Sequence, residues 1–447
     1  MIDWDLIQIT GSRIWERSDE SAFWCSNDHG HNRRLFLQGG MASALGVSLG
    51  GMHASYDPLW AEELRKQQKH VLLLWLAGGS SQMETWDPKP GRPTGGPFKS
   101  IPTAATGVHI CELLPKMAKL MNRVAVVRSL DTRVGDHGGA TKLVETGRGR
   151  EPGVDYPELG TVIGKELAQR ESKVPDYVSL YLATEGHRRP NPGFLGGRYA
   201  ALHLNKSLKP ENIELPTGLT EVEHSEREAL RRFLSDRFDS IRKASKVKGY
   251  NSSYARVQGL MDSSSLFDLE REPRKQRDRY GMTDFGQHAL IARRLIEAGV
   301  PMVKVARAWW DSHADNFESH RELVSELDHV MSTLLLDLEE RGLLENTLVI
   351  TLSEFGRTPN INKDVGRDHF ASAWSCSFTG CGIQGGTLHG KTDEDGRTVA
   401  DGKVGAGEVL ATIYQAVGID PEKKYHIGPR PVPLAPEHVV PIHPVLA

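Results

Sequence analysis

Residues 71–77, VLLLWLA, constrain this chain more than any other stretch. Seven consecutive apolar residues leave no polar face, so a strand made of them must be covered on both sides. That is the position of a central strand in a mostly parallel sheet. Gly78, Gly79, Ser80 and Ser81 end the run abruptly, as a strand-to-loop exit requires. Parallel neighbours need crossover helices, and the rest of the chain supplies an alternation of the two. Helices are predicted over residues 113–121, from about 137 to 147, and over 159–167, 321–341 and 408–417. Further strands are predicted over 124–127, 177–182, 302–306 and 347–352. Residues 211–295 read as a charged, helix-rich insert covering one side of the sheet, and the tail from Pro429 as proline-rich and extended. The expected fold class is α/β, a mostly parallel central sheet with helices on both faces.

A length of 447 residues and 38% hydrophobic content suffice for a large core. The formal net charge of -3 gives no general electrostatic reason to bind nucleic acid or an anionic membrane. The four cysteines, Cys25, Cys111, Cys376 and Cys381, form no C-x-x-C pair and match no zinc ribbon. Cys376 and Cys381 read as small apolar residues on a buried strand, with a short-loop disulfide as the alternative.

Before the first strand, Arg33 and Arg34 precede Leu35 and Phe36 and then a weakly apolar run from Gly39 to Gly51. This pattern resembles a twin-arginine export signal. The apolar run is too short to span a bilayer of about 30 Å. Residues 1–54 are therefore read as a polar leader plus export signal, cleaved near Ala54, and residues 55–447 as a single domain without a transmembrane anchor. The expected location is periplasmic or extracellular.

In open α/β sheets, ligands collect beyond the carboxyl ends of the strands. The residues that follow the predicted strands are rich in carboxylates and imidazoles. Glu84 and Asp87 follow the first strand, Asp136 and His137 the second. Asp311, His313 and Asp315 follow the strand at 302–306, and Glu354, Arg357, Asp368 and His369 follow that at 347–352. A single carboxylate at a strand end is usually a helix cap or a solvated loop residue. In the D-x-H-x-D pattern of Asp311, His313 and Asp315, alternate residues of an extended loop share a side. A mixture of imidazole and carboxylate suits zinc first, then manganese or iron, and either one or two ions. No glycine group fits a phosphate-loop pattern.

The segments LLLWLAGGSSQMETWDPKPG, RSLDTRVGDHGGATKLVETGR, WWDSHADNFESH, ERGLLENTLVITLSEFGRTPNINKDVGRDHF and LATIYQAVGID, in that order, resemble the bacterial domain-of-unknown-function 1501 family. That family is placed in the alkaline phosphatase/sulfatase-like superfamily. The resemblance implies an alkaline phosphatase-like fold and a metal-dependent hydrolase of sulfate or phosphate esters. Its substrate would be a small anionic ester or a sulfated or phosphorylated carbohydrate. By the same resemblance Asp311, His313, Glu354 and His369 hold metal, with Glu84, Asp87, Asp315 and Asp368 as further candidates. Asp136 and His137 open the helix where the superfamily places its nucleophile. Arg357, near the same strand ends, is read either as gripping an ester oxygen or as pairing with one of the carboxylates nearby. His137 stands where a serine, threonine or cysteine is expected, which leaves three readings open: metal ligand, nucleophile, or a site that binds without turnover. The competing class is a non-catalytic, metal-stabilised module of the cell envelope that binds polysaccharide or protein.

Overall fold

The computed structural model describes residues 68–169, 174–180, 190–204, 208, 210, 214–242, 254 and 258–447. Its centre is an eight-stranded sheet: β1 (His70–Leu76), β2 (Val124–Leu130), β3 (Tyr177–Leu180), β4 (Leu202–Leu204), β5 (Met302–Arg307), β6 (Thr347–Leu352), β7 (Trp374–Gly380) and β8 (Leu388–His389). The spatial order is β8-β2-β7-β6-β1-β5-β3-β4. β1 lies between β5 and β6 and runs parallel to both. Only β7 is antiparallel to its neighbours, β2 and β6.

All seven residues of β1 are buried, and alternation along the strand sends them to two cores. Leu72, Leu74 and Leu76 join one core. Val71, Leu73 and Trp75 join the other. The helices divide accordingly. α4 (Asp284–Glu297) and α5 (Asn316–Glu340) cover the first face through Leu290, Leu295, Leu327 and Leu334. α1 (His137–Thr146), α2 (Leu159–Leu167) and α6 (Ala406–Ala416) cover the second through Val144, Ile163 and Leu410. The fold is thus α/β with a mostly parallel sheet and helices on both faces.

Several expected elements differ. The helix expected at 113–121 is one short turn, Pro115–Ala118, followed by a 3-10 turn at Met121–Arg123. Leu114 precedes proline and stays outside the helical region, with ψ 49°, because the proline ring disfavours helix at the residue before it. The buried strand expected around Cys376 is β7, but its antiparallel direction was not expected. Its WSCSFTG sequence has no crossover helix before it and no long apolar run. The stretch 211–295 is not uniform. α3 (Glu221–Arg242) is largely exposed, whereas α4 is a core helix. The tail after Pro429 includes Arg430–Pro433, which pairs with Lys424–Ile427 as a hairpin. Cys111, Cys376 and Cys381 are buried free thiols, and burial pushes the Cys376 thiol up. The twin-arginine segment and Cys25 lie outside the described residues. Among the described residues no helix is long and apolar enough to cross a membrane.

Candidate metal centre

The exits of β2, β5 and β6 bring His137, Asp311 and Glu354 together, and a short ladder adds His369. In that ladder Gly356–Arg357 pairs with His369–Phe370, placing His369 opposite Arg357. Two glycines allow the loops to meet. Gly78 has φ 114°, and a Cβ there would stand 2.5 Å from the Asp311 nitrogen. A Cβ on Gly366 would stand 1.8 Å from the His313 carbonyl oxygen. No side chain fits either gap, so each close approach depends on glycine.

The hydrogen bonds then orient the rings. His369 Nδ1 lies 2.8 Å from the Gly135 carbonyl oxygen, which can only accept, so Nδ1 carries the proton and Nε2 offers a lone pair. His313 Nδ1 lies 2.9 Å from Asp368 Oδ1, with the same consequence. The two Nε2 atoms stand 3.0 Å apart. Each is 3.1 Å from Asp311 Oδ1. Three lone pairs therefore converge on one point with no proton between them.

His137 is arranged differently. As the first residue of α1, it sits with Nδ1 2.9 Å from Glu354 Oε1 and Nε2 3.2 Å from Asp311 Oδ2. Those hydrogen bonds, to Asp311 first and Glu354 second, raise its pKa to about 9. Burial alone would raise the pKa of Asp311, but the bond from His137 and the Arg357 guanidinium beside it hold it well below the usual carboxylate range. Donor atoms of His137, Asp311 and His369 all lie within 4.8 Å of one another. Glu354 also accepts from Gly78 N at 2.9 Å, while its buried Oε2 has no hydrogen-bond partner.

The chain matches the family described as Protein of unknown function (DUF1501) over residues 68–446. The chain belongs to this family. A comparison with curated protein sequences found no match. Similar solved structures include the PsFucS1 sulfatase from Pseudoalteromonas sp., at 14% identity and TM-score 0.37, covering 81% of this chain and 70% of that one. A protein of the alkaline phosphatase superfamily from Vibrio parahaemolyticus is 10% identical, with TM-score 0.38 and coverage of 79% and 67%. A mutant of TAB5 alkaline phosphatase with magnesium bound is 11% identical, with TM-score 0.34 and coverage of 79% and 99%.

Of the residues singled out from the sequence, the structure gathers His137, Asp311, His313, Glu354, Asp368 and His369. The other candidates make different contacts. Glu84 is fully buried and paired with Arg367 at 2.8 Å. Asp87 bonds Lys89 and Thr392. Asp315 is exposed, in left-handed backbone at the start of α5. Asp136 caps α1, accepting from Gly139 N at 2.7 Å. Arg357, read either as gripping an ester oxygen or as pairing with a carboxylate, is fully buried. Its donors go inward, to the carbonyls of Gly78, Gly79 and Arg367 and to Asp311 Oδ1 at 2.5 Å. It therefore orients Asp311 rather than reaching a ligand. Sequence reading missed Asn362, whose amide donates to the His313 carbonyl at 2.9 Å. The GRTPNINKDVGRDH stretch signals a turn there, but no turn signal identifies a partner 49 residues away.

Proposed function

We propose that this chain is an exported, metal-dependent hydrolase of anionic sulfate or phosphate esters, with carbohydrate-linked esters as the substrate class. One observation carries the reading: the Nε2 lone pairs of His313 and His369 and an oxygen of Asp311 face one another at 3.0 to 3.1 Å. Such an arrangement is repulsive without a cation between them. The donor set fits a divalent ion of the zinc type, and the outer bonds from Asp368 and Gly135 are of the kind that orient ligating histidines.

Asp311, His313 and His369 would hold the ion, which when bound supplies Lewis-acid polarisation of the ester. Arg357 holds the Asp311 carboxylate in place from behind. His137, anchored through Nδ1 to Glu354, keeps Nε2 directed at the cluster, where it would hold a proton for the leaving-group oxygen. The amino end of α1 favours an anionic group beside it. A cavity of ≈ 370 Å³ along the same helix is lined by Gly138, Thr141, Lys142, Glu158 and Asn191. That is the size and polarity needed for the hydroxyl-bearing part of a substrate. The twin-arginine segment supports export.

The envelope-binding module remains the second reading, because the first turn of α1 carries His137, Gly138 and Gly139 and no hydroxyl. Metal content by mass spectrometry, with turnover of aryl phosphates and aryl sulfates, separates the two for wild type and Asp311→Asn. Stoichiometric metal and turnover are expected for wild type. Asp311→Asn should lose the metal and roughly 10³-fold or more in turnover, matching the several kcal/mol that a metal contributes. Metal without turnover of any ester would favour the binding module. A folded, metal-free wild type would sink both.

A further inference from the structure

A helix on a globular surface normally turns its apolar stripe inward. Helix α3 does the reverse. Val222, Leu230, Phe233, Leu234 and Phe238 are all exposed, between 51% and 67% of their surface. At 100° per residue they fall on one face of the helix. The face turned toward the rest of the chain is polar. His224 Nε2 lies 2.7 Å from Gln258 Oε1, Arg231 sits over the Tyr254 ring at 4.2 Å, and Glu228 pairs with Arg231. Five large exposed apolar side chains on one helix mark an interaction site.

The charge pattern indicates what covers it. Residues 221–230 carry four glutamates against one arginine, and residues 231–242 carry four arginines against two aspartates. Glu226 lies within the apolar face in the first half and Arg237 within it in the second. A helix acidic at one end and basic at the other complements itself when a second copy runs antiparallel to it. A two-fold interface supplies that arrangement, since the same patch faces itself. An anionic membrane is a poorer fit, because interfacial helices favour lysine and arginine around an uninterrupted apolar face, and here a glutamate lies within that face.

We infer that α3 is a homodimer interface, in which two copies of the helix pair antiparallel about a two-fold axis between Leu230 and Phe233. That axis sets Leu230 against the partner's Phe233 and Glu226 beside the partner's Arg237. Each helix is about 33 Å long at 1.5 Å per residue, so the seam spans the width of a small domain.

Sedimentation equilibrium and light scattering on the full chain test this. Wild type is expected to be a dimer, and Leu230→Glu and Phe233→Glu are expected to be monomers with unchanged far-ultraviolet circular dichroism. Because both side chains already face solvent, neither change should unfold the protein. Glu226→Arg and Arg237→Glu should each weaken dimerisation, by roughly tenfold with two symmetric copies of the pair lost. The double variant, which restores the pairing with signs exchanged, should recover most of that loss. The antiparallel dimer is overturned by a monomeric wild type, whether or not it binds phosphatidylglycerol vesicles. A dimer that survives Leu230→Glu and Phe233→Glu overturns it equally, as does a double charge variant no better than the singles.

Discussion

Behind the candidate metal centre lies His320, fully buried, with Nδ1 on the Asn316 carbonyl at 3.0 Å and Nε2 accepting from Ser81 N at 3.1 Å. In front lie His313 and His369, which also use Nδ1 on an oxygen but turn Nε2 on each other. All three rings have the same chemistry, and what faces the second nitrogen differs. His320 meets a peptide N–H, so the neutral ring is complete, and burial keeps it neutral by lowering its pKa to about 4. The front pair meet only lone pairs, so they are complete only around a cation. The carboxylates divide in the same way. Glu84, behind, faces the Arg367 guanidinium, whereas Asp311, in front, faces three imidazoles as well as Arg357. A metal-ligand candidate is thus recognised by the partner of its second donor atom rather than by residue type or strand exit.

The largest separation between the two regions should come from Glu84→Ala. Arg367 would keep its bonds to the carbonyls of Thr94, Thr358 and Pro359 but lose the Glu84 carboxylate. Stranding a buried charge costs about 3–5 kcal/mol, so the denaturant midpoint should fall sharply. Metal bound per folded chain should not change. Loss of metal at an unchanged midpoint would place Glu84 in the front region after all.

This division explains how far the sequence could be read. The β1 run, the helix at 159–167 and the β6 strand were legible because their apolar periods are unbroken. At β7 a buried strand was legible around Cys376 but its bounds and direction were not, because an antiparallel strand needs no crossover helix to announce it. Strand exits correctly located the loops that hold Asp311, His313, Glu354 and His369. They could not separate these from Glu84 and Asp87, since all are carboxylates or imidazoles just past a strand. What separates them is long-range pairing: Arg367 with Glu84 across 283 residues, and Thr392 with Asp87 across 305. Arg357 shows the same limit. A guanidinium beside a carboxylate cluster could point toward ligand or protein, and only the carbonyls of Gly78 and Gly79 on its far side decide the direction.

A smaller effect tests the outer bonds of the front region. Asp368 is exposed, and its hydrogen bond to His313 holds its own pKa below the usual carboxylate value. Asp368→Asn keeps the shape but weakens the acceptor that sets the His313 tautomer. Metal affinity should fall about 10- to 100-fold, the usual consequence of altering such a partner. Titration with a competing chelator reads this directly. An unchanged affinity would mean that His313 is not a ligand and that its Nε2 faces the cluster without binding.

The smallest effect concerns Asp136, which adjoins His137 in sequence and is the residue where proximity and role are easiest to confuse. Its side chain is exposed and bonds Gly139 N in its own helix, a capping geometry. Asp136→Ala should cost about 1 kcal/mol of stability, and Asp136→Ser much less, because serine restores an N-cap acceptor. If Asp136 acts only as a cap, both variants should bind metal as wild type does, and turnover should track the small loss of order in the first turn of α1. A proton-transfer role predicts the opposite ranking: Asp136→Ser, though as stable as wild type, would lose as much turnover as Asp136→Ala. Measuring stability and turnover on the same two variants therefore decides whether Asp136 belongs to the chemistry or to the helix that presents His137.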